Sequence, residues 1–525
     1  MRKIKEFIRA CEESRLGFGL WITSALFIIL IRDSIESLVS TNSFPPLNAF
    51  HFLHVPVFFL TALLSIIILL RLFTKEDILK VSKICLFFFA VIIFPAGLDL
   101  IVSLITKTNI SYGYIDQNVI RSVTNFFNPI YKIPAVPYSL RLEILFICIF
   151  SFLYIQIKTN KIFLSILGAF LVFCLCTLYG ALPGLLVSAF VKVIAFLFHI
   201  FHPLFFGKEV RGVVDENIIV IVELILASLA AGLWFWLYDP KKFQVVLKDF
   251  RFNRYFCCFI LLTIGVGLYL YSAKGLDVFI GLKILAMFLA LFFAVRFSAL
   301  LNDIFDVDCD RVSNKERPLV SGIISAGEYL KVGLVYLTFS LFFSIWVSQN
   351  CFVLNLLFIG VYFLYSVPPF RLKRFFVFSS LITGLQALLI LLMGQVSLAK
   401  DDTTVLLYPP LLWLAFLIFF LGSNIKDLKD IEGDRLCGVY SLPVIFGERK
   451  ARKIIGFLVF LSYLLFPVFL ADVIWDIKIT ALSLIFAFLS YFYIRKPDSN
   501  ERIIFLLYFL YVFIAACFFI FPIGG

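Results

Sequence analysis

The chain has 525 residues, of which 62% are hydrophobic and 15% charged, with a formal net charge of +12. Soluble globular domains carry roughly 45–50% apolar and about 25% charged residues, and a mean hydropathy of +1.03 is more apolar surface than a water-soluble fold of this size can bury. Disordered, collagenous, disulfide-scaffold and soluble nucleic-acid-binding chains are thereby excluded. The positive charge is assigned instead to cytoplasmic loops of a membrane protein.

Only α-helices and closed barrels satisfy their backbone in lipid, and long unbroken apolar runs such as 276–301 fit helices. The predicted fold class is therefore an all-α, polytopic membrane protein. The opening MRKIKEFIRACEESR is basic and amphipathic, and no small-residue cleavage site follows a short apolar core, so no removable signal peptide is expected. At about 20 residues per span, helices are predicted near 16–31, 51–73, 84–106, 142–157, 162–184 and 217–238. A second group follows near 255–271, 276–301, 329–348, 351–367, 375–397, 405–423, 453–471, 477–494 and 502–522. The total is about fifteen. The stretch 185–206, with Lys192 inside and HIFHP at its end, reads as re-entrant, interfacial or a further span.

The polar segment 239–254 (DPKKFQVVLKDFRFNR) divides the chain into residues 1–245 and 246–525 and is expected to lie as an interfacial linker. Basic residues collect in alternate loops, at Arg311, Arg371, Lys426, Arg449 and Arg495. By the positive-inside rule this predicts a cytoplasmic N-terminus, cytoplasmic basic loops and an external C-terminus. The eleven cysteines include no CxxC pair and mostly sit in apolar runs, as Cys174, Cys176, Cys257 and Cys258 do. They are expected to act as small hydrophobes, not as bridges or zinc ligands.

Ionisable groups in or beside membrane spans are costly and point to function. Two acidic clusters end predicted spans: NDIFDVDCDRVSNKERPLVSG from Asn302, and NIKDLKDIEGDRLCG from Asn424. At about 100° per residue, Asn302, Asp303, Asp306 and Asp310 fall on one helix face, and Asp427, Asp430 and Asp434 on another. A solvated helix end would need no such spacing. Carboxylate and amide oxygens on two helix ends suit Mg²⁺, a hard cation that keeps water and binds substrate phosphates. Lys315, Arg317, Arg371 and Lys373 are placed to bind the remaining phosphate oxygens.

Asn302–Asp310 resembles the NDxxDxxxD signature of the UbiA superfamily of intramembrane prenyltransferases. NKERPLVSG is similar to that family's following loop, YSVPPFRLK from Tyr365 to its YSxPPxRLK segment, and DLKDIEGDRLCGVYSLPVIFG to its second Asp-rich motif. The resemblance covers the C-terminal 280 or so residues and none of the first 245. It implies a nine-helix bundle whose two Asp-rich motifs bind a prenyl diphosphate donor through Mg²⁺. Asn302, Asp306, Asp430 and Asp434 are then expected as metal ligands, and Asp303, Asp310, Asp427 and Arg296 as catalytic residues. Lys315, Arg317, Tyr365, Ser366, Arg371 and Lys373 are expected to hold diphosphate. The implied reaction transfers the prenyl group to a lipophilic acceptor: an aromatic quinone precursor, a tetrapyrrole or a glycerol-phosphate lipid. The implied location is a bacterial or archaeal cell membrane. A related branch of the family transfers phosphoribosyl to a polyprenyl phosphate, and that alternative shares the metal site. A non-enzymatic cation-dependent transporter is a further alternative, but such sites usually lie in broken helices near the midplane.

Residues 1–245 resemble no family. All four histidines lie there, as His51/His54 and His199/His202, each pair at a spacing that shares a helix face. Four imidazoles could hold a transition metal or haem, or simply cap helices at the membrane interface. Asp99 and Glu223 lie inside predicted spans, as buried polar contacts, with Lys192 a candidate partner, or as part of a substrate path.

Overall fold

The computed structural model describes residues 2–41, 43–45, 49–115, 119–133, 136–205, 217–272, 280–399, 408–469 and 477–520; the side chains of 2, 49, 50, 52, 119, 183, 184, 186–205, 217, 252, 253, 272, 313 and 516–520 lie outside that description. Helices dominate, and among the described residues no strand occurs beyond two isolated bridges, Ile133 with Val136 and Phe375 with Tyr440. Fourteen helical stretches among the described residues are long and apolar enough to cross a membrane, six before residue 245 and eight after it. A further apolar helix, Glu501–Ile520, closes the described chain. The protein is a multi-pass integral membrane protein.

The chain divides into two compact units. Unit 1 comprises Met1–Gln244 with Asp277–Leu282, and unit 2 comprises Val245–Leu276 with Lys283–Gly525.

In unit 1 an amphipathic helix α1 (Arg2–Glu12) precedes α2 (Phe18–Thr41), α3 (Ala49–Thr74), α4 (Ile78–Phe89) and α5 (Ile93–Thr106). Short α6 (Val119–Thr124) leads to α7 (Tyr138–Thr159), α8 (Ile162–Phe205), α9 (Asn217–Tyr238) and α10 (Pro240–Lys248). Central α3 packs against α2, α4, α7, α8 and α9, around a core that includes Leu63, Ile67, Val81, Ile84 and Ile155.

Several boundaries differ from the sequence-based expectation, among them the span expected at 84–106, which starts at Ile78. The first span was expected to stop at residue 31, ahead of Arg32 and Asp33, but α2 continues to Thr41. The charges do not end it, because they are paired inside the unit: Arg32 with Glu36 and Glu143, and Asp33 with His51. The ambiguous 185–206 stretch is backbone-helical, continuous with α8 to Phe205.

In unit 2, α11 (Phe252–Ser272) and α12 (Ile280–Phe305) are followed by short α13 (Val307–Ser313), then α14 (Ala326–Val347) and α15 (Gln349–Ser366). The remaining helices are α16 (Phe376–Val396), α17 (Pro409–Gly422), α18 (Ile431–Leu436), α19 (Leu442–Phe446), α20 (Glu448–Phe469), α21 (Ile477–Ile494) and α22 (Glu501–Ile520). Helix α16 is central, packed against α11, α15 and α17. Its crossing with α11 depends on two glycines. A Cβ built on Gly265 would lie 2.4 Å from the Leu391 carbonyl oxygen, and one on Gly394 would lie 2.7 Å from the Leu262 carbonyl oxygen. Small residues let membrane helices approach to backbone contact, which replaces the missing hydrophobic drive with dispersion. Ser325 starts α14 with a capping box, its side chain accepting from the Glu328 N–H; this cap satisfies the helix end just beyond the first acidic cluster.

Candidate active site

The first cluster breaks over a helix end. Asn302 and Asp303 close α12, and Asp306 is the residue before α13, with φ −112° and ψ 11°. Asp310 lies one turn into α13. The second cluster repeats the arrangement. Asp427 lies in a 3₁₀ turn (Ser423–Leu428), Asp430 precedes α18 with φ −103° and ψ 18°, and Asp434 lies within α18. Each motif thus turns its chain at an aspartate, so that carboxylates from two successive helical segments share one corner.

The two corners are joined. Cys309 of α13 and Cys437 just past α18 form a disulfide across 128 residues, with Cα atoms 5.9 Å apart. This corrects the expectation that the cysteines form no bridge. Spacing alone cannot show such a pair, because only the packing of α13 on α18 brings the two within bridging range. The turn after the second motif is also tied to the YSVPPFRLK segment: the Tyr440 N–H donates to the Arg374 carbonyl at 2.6 Å, and the rings of Phe375 and Tyr440 stack.

Basic side chains cover the acids of the first motif. Arg371 donates to Asp306 at 2.9 Å. Lys373 donates to Asp306 and, at 2.9 Å, to the Asn302 amide oxygen, which also accepts from Ser366 at 3.2 Å. Arg371 adopts a left-handed backbone, φ 38° and ψ 52°, a conformation costly for a side-chain-bearing residue and concentrated at functional sites. Tyr365 accepts from Lys426 at 2.7 Å, and the Lys426 ammonium lies 5.1 Å from the centre of its ring. Lys373 also acts electrostatically on Asp434, so one ammonium is felt by both motifs. Asp427 interacts with Lys426 and with the Asp430 and Asp434 carboxylates.

Burial raises Asp310 to about 6, against the opposing pull of Arg317. Burial likewise raises Asp434 to about 6, with Asp430 adding to the shift. Desolvated, closely spaced acids hold their protons to higher pH than free carboxyls, and a cation bound between them would oppose that shift.

Asp303 sits differently. It is 1% exposed and paired with Arg251, with the Tyr329 hydroxyl 3.4 Å away. Arg251 lies 3.7 Å from Asp249, which also accepts from Arg317 at 2.7 Å. The segment expected to be an interfacial linker therefore supplies two charged members of the site. Their signal was present in its DFR run, but nothing local indicated which acids they would meet. Arg296 lies on the same segment's backbone, donating to the Val246 and Asp249 carbonyls at 2.6 and 2.7 Å. Lys315 is exposed.

Among the described residues no three His, Cys, Asp or Glu side chains converge closely enough to hold a metal by themselves. The donors fit a hard cation that takes part of its coordination from water and phosphate: amide and carboxylate oxygens, with the buried Asp430 Oδ1 lacking a hydrogen-bond partner among the described residues. The proposed histidine site is divided. His51 bonds Asp33 at 2.9 Å. Both ring nitrogens of His54 are engaged, by Glu223 at 2.9 Å and by the Tyr114 hydroxyl, leaving neither nitrogen for a metal. The side chains of His199 and His202, like that of Lys192, lie outside the described residues. Asp99 accepts from Tyr112 and Ser139.

Residues 260–520 match the UbiA prenyltransferase family. Digeranylgeranylglyceryl phosphate synthase of Methanocaldococcus jannaschii is 29% identical over 224 residues, 42% of this chain and 76% of that protein. The enzyme of the same name from Pyrococcus horikoshii is 26% identical over 256 residues, 47% of this chain and 87% of that protein. A solved UbiA homologue from Archaeoglobus fulgidus bound to GPP and Mg²⁺ is 21% identical, with a TM-score of 0.41, covering 53% of this chain and 100% of that one. Through its C-terminal half, this chain belongs to the UbiA family of prenyltransferases.

Proposed function

We propose that the protein transfers a prenyl group from a prenyl diphosphate to a glycerol-phosphate lipid, releasing diphosphate with the help of Mg²⁺. The observation that carries this is the pair of aspartate corners, bridged by Cys309–Cys437 and covered by Arg371 and Lys373. The acceptor class is supported by the names of the archaeal relatives.

Asn302, Asp306, Asp430 and Asp434 are the residues that would hold the metal, and Mg²⁺ bound there neutralises charge on the departing diphosphate. Arg371 and Lys373 now lie on Asp306, where they serve as internal counter-ions. When substrate arrives they are at hand for phosphate oxygens, Arg371 through its planar fork. Tyr365, with Lys426 behind it, adds a hydroxyl polarised toward donation. Cleavage of an allylic C–O bond leaves a carbocation, and the apolar helices around the site exclude the water that would quench it. Asp303 and Arg251 are positioning residues: their buried pair fixes the end of α12 and so the direction of Asn302 and Asp306. The alternation of basic loops favours a cytoplasmic N-terminus and cytoplasmic Asp-rich corners.

The test is diphosphate release by the full-length protein in detergent. It would use geranylgeranyl diphosphate with a geranylgeranylglyceryl phosphate acceptor, with Mg²⁺ or EDTA, beside Asp306→Asn and Asp430→Asn. Release that needs Mg²⁺ and acceptor, and that falls at least about 100-fold in each variant, is expected. Release indifferent to EDTA, or undiminished in both variants, would refute the mechanism. Release only with an aromatic acceptor would refute the acceptor class alone.

A further inference from the structure

Unit 1 encloses a cavity of about 570 Å³, within the range of small-molecule sites. Its walls are sorted by chemistry along the helices. One end is polar, lined by Arg32, Asp33 and Glu36 of α2, His51 and His54 of α3, and Glu143 of α7. Tyr112 and Tyr114 join them from the segment after α5. Further along, the lining is apolar, with Phe58, Phe59, Leu63, Ile66 and Phe150, and it reaches Ile4 and Phe7 of α1. At 1.5 Å per residue, His51 to Ile66 spans about 22 Å. The cavity is therefore long, with a polar head end and a hydrocarbon stem.

The polar end is expensive for a membrane fold. Arg32 is 5% exposed between Glu36, at 2.9 Å, and Glu143, at 3.1 Å. Glu223, His54 and Tyr114 form a carboxylate–imidazole–phenol chain that ends at the cavity wall. Buried ion pairs of this kind add little stability over apolar side chains of the same volume, and ionisable groups within spans usually serve a ligand. Two buried polar atoms, Arg32 Nε and Glu223 Oε1, lack a hydrogen-bond partner among the described residues.

The charge balance says what the head can be. Asp33, Glu36 and Glu143 face the cavity against one guanidinium, with two imidazoles beside them. A diphosphate would meet net repulsion, so this is no second donor site. Arg32 sits between Glu36 and Glu143 and His51 bonds Asp33, so a permanent cation placed on these carboxylates would have to displace one of those two donors. A hydroxyl can donate to the Glu36 or Glu143 carboxylate, or to the phenol oxygen of Tyr114, whose own proton goes to His54 Nε2, without breaking a pair. We infer that the N-terminal unit binds a long-chain lipid with an uncharged, hydroxyl-bearing head. The head lies among Arg32, Glu143 and Tyr114, and the chain runs along Phe58 and Phe150 toward α1.

The probe is a diazirine-bearing prenyl alcohol, photolysed with the full-length protein in detergent and mapped by peptide mass spectrometry. Labelling is expected on α3 and α7. Monoolein should compete, while geranylgeranyl diphosphate and hexadecyltrimethylammonium at the same concentration should not. Ala62→Trp, which fills the middle of the cavity, should cut labelling at least tenfold and leave Mg²⁺-dependent diphosphate release unchanged. Should that variant not fold, Tyr114→Phe keeps the ring and removes the hydroxyl, and labelling should fall several-fold. Labelling confined to unit 2, labelling unchanged in the variant that folds, or equal competition by diphosphate or ammonium would overturn the inference.

Discussion

The Arg251–Asp303 pair separates a positioning role from a catalytic one. Asp303 is 1% exposed and the Arg251 side chain 10%; Arg251 Nε and Nη1 already lack partners among the described residues. Asp303→Ala leaves a buried guanidinium with only Asp249, 3.7 Å away, as counter-ion. Arg251→Met leaves a buried carboxylate whose remaining hydrogen-bond partner is a hydroxyl at 3.4 Å. Removing one partner of a buried pair costs about 3–5 kcal/mol, whereas replacing both by apolar groups of similar volume is near neutral. Each single variant should therefore lose about 3–5 kcal/mol, and Arg251→Met with Asp303→Leu should recover most of it. Unfolding midpoints in a denaturing-detergent titration of all four proteins would close the cycle, with diphosphate release measured beside them. The double variant should keep release within about tenfold of the parent, as expected of residues that orient Asn302 and Asp306 without touching substrate. Single losses below about 1 kcal/mol, or a double loss equal to the sum, would refute the buried-pair argument. A stable but inactive double variant would return Asp303 to the catalytic set.

Other consequences are as direct. Asp310 and Asp434 stand near 6 in the fold and near 3.9 when unfolded, so the folded chain holds extra protons between those values. The stability this contributes is complete below about pH 4 and is lost as pH rises through about 6. A cation needs these groups charged, so Mg²⁺ should stabilise the protein against heat more at pH 7.5 than at pH 5, and Asp434→Asn should flatten that difference. Peptide mapping under alkylating, non-reducing conditions should recover Cys309 joined to Cys437. Cys309→Ser with Cys437→Ser should raise the Mg²⁺ concentration for half-maximal release about tenfold, through lost pre-organisation of the two corners, with saturated rate little changed. Free thiols at both positions would refute the bridge. Gly265→Val should destabilise by about 1–3 kcal/mol through overpacking against the Leu391 carbonyl, seen as a lower unfolding midpoint, while Gly267→Ala, which meets nothing within 4 Å, should be close to neutral.

Much of this protein was determined by local sequence. Its apolar runs must cross lipid as helices because no other open structure satisfies the backbone there, and predicted and observed spans agree closely, as at 477–494. The acids at Asn302–Asp310 and Asp427–Asp434 were legible as dense carboxylate runs at the ends of apolar spans, but the single helix face expected for each is broken at Asp306 and Asp430, where the chain turns. What the sequence did not contain was pairing. Arg251 finds Asp303, Arg317 finds Asp249, and Cys309 finds Cys437 only once helices far apart in the chain pack together. The same holds in the N-terminal unit. Arg32 looked like the end of a span, yet it lies inside one because Glu143, 111 residues away, neutralises it. A charge's cost in a membrane is set by its partner, and the partner is a fact of tertiary structure.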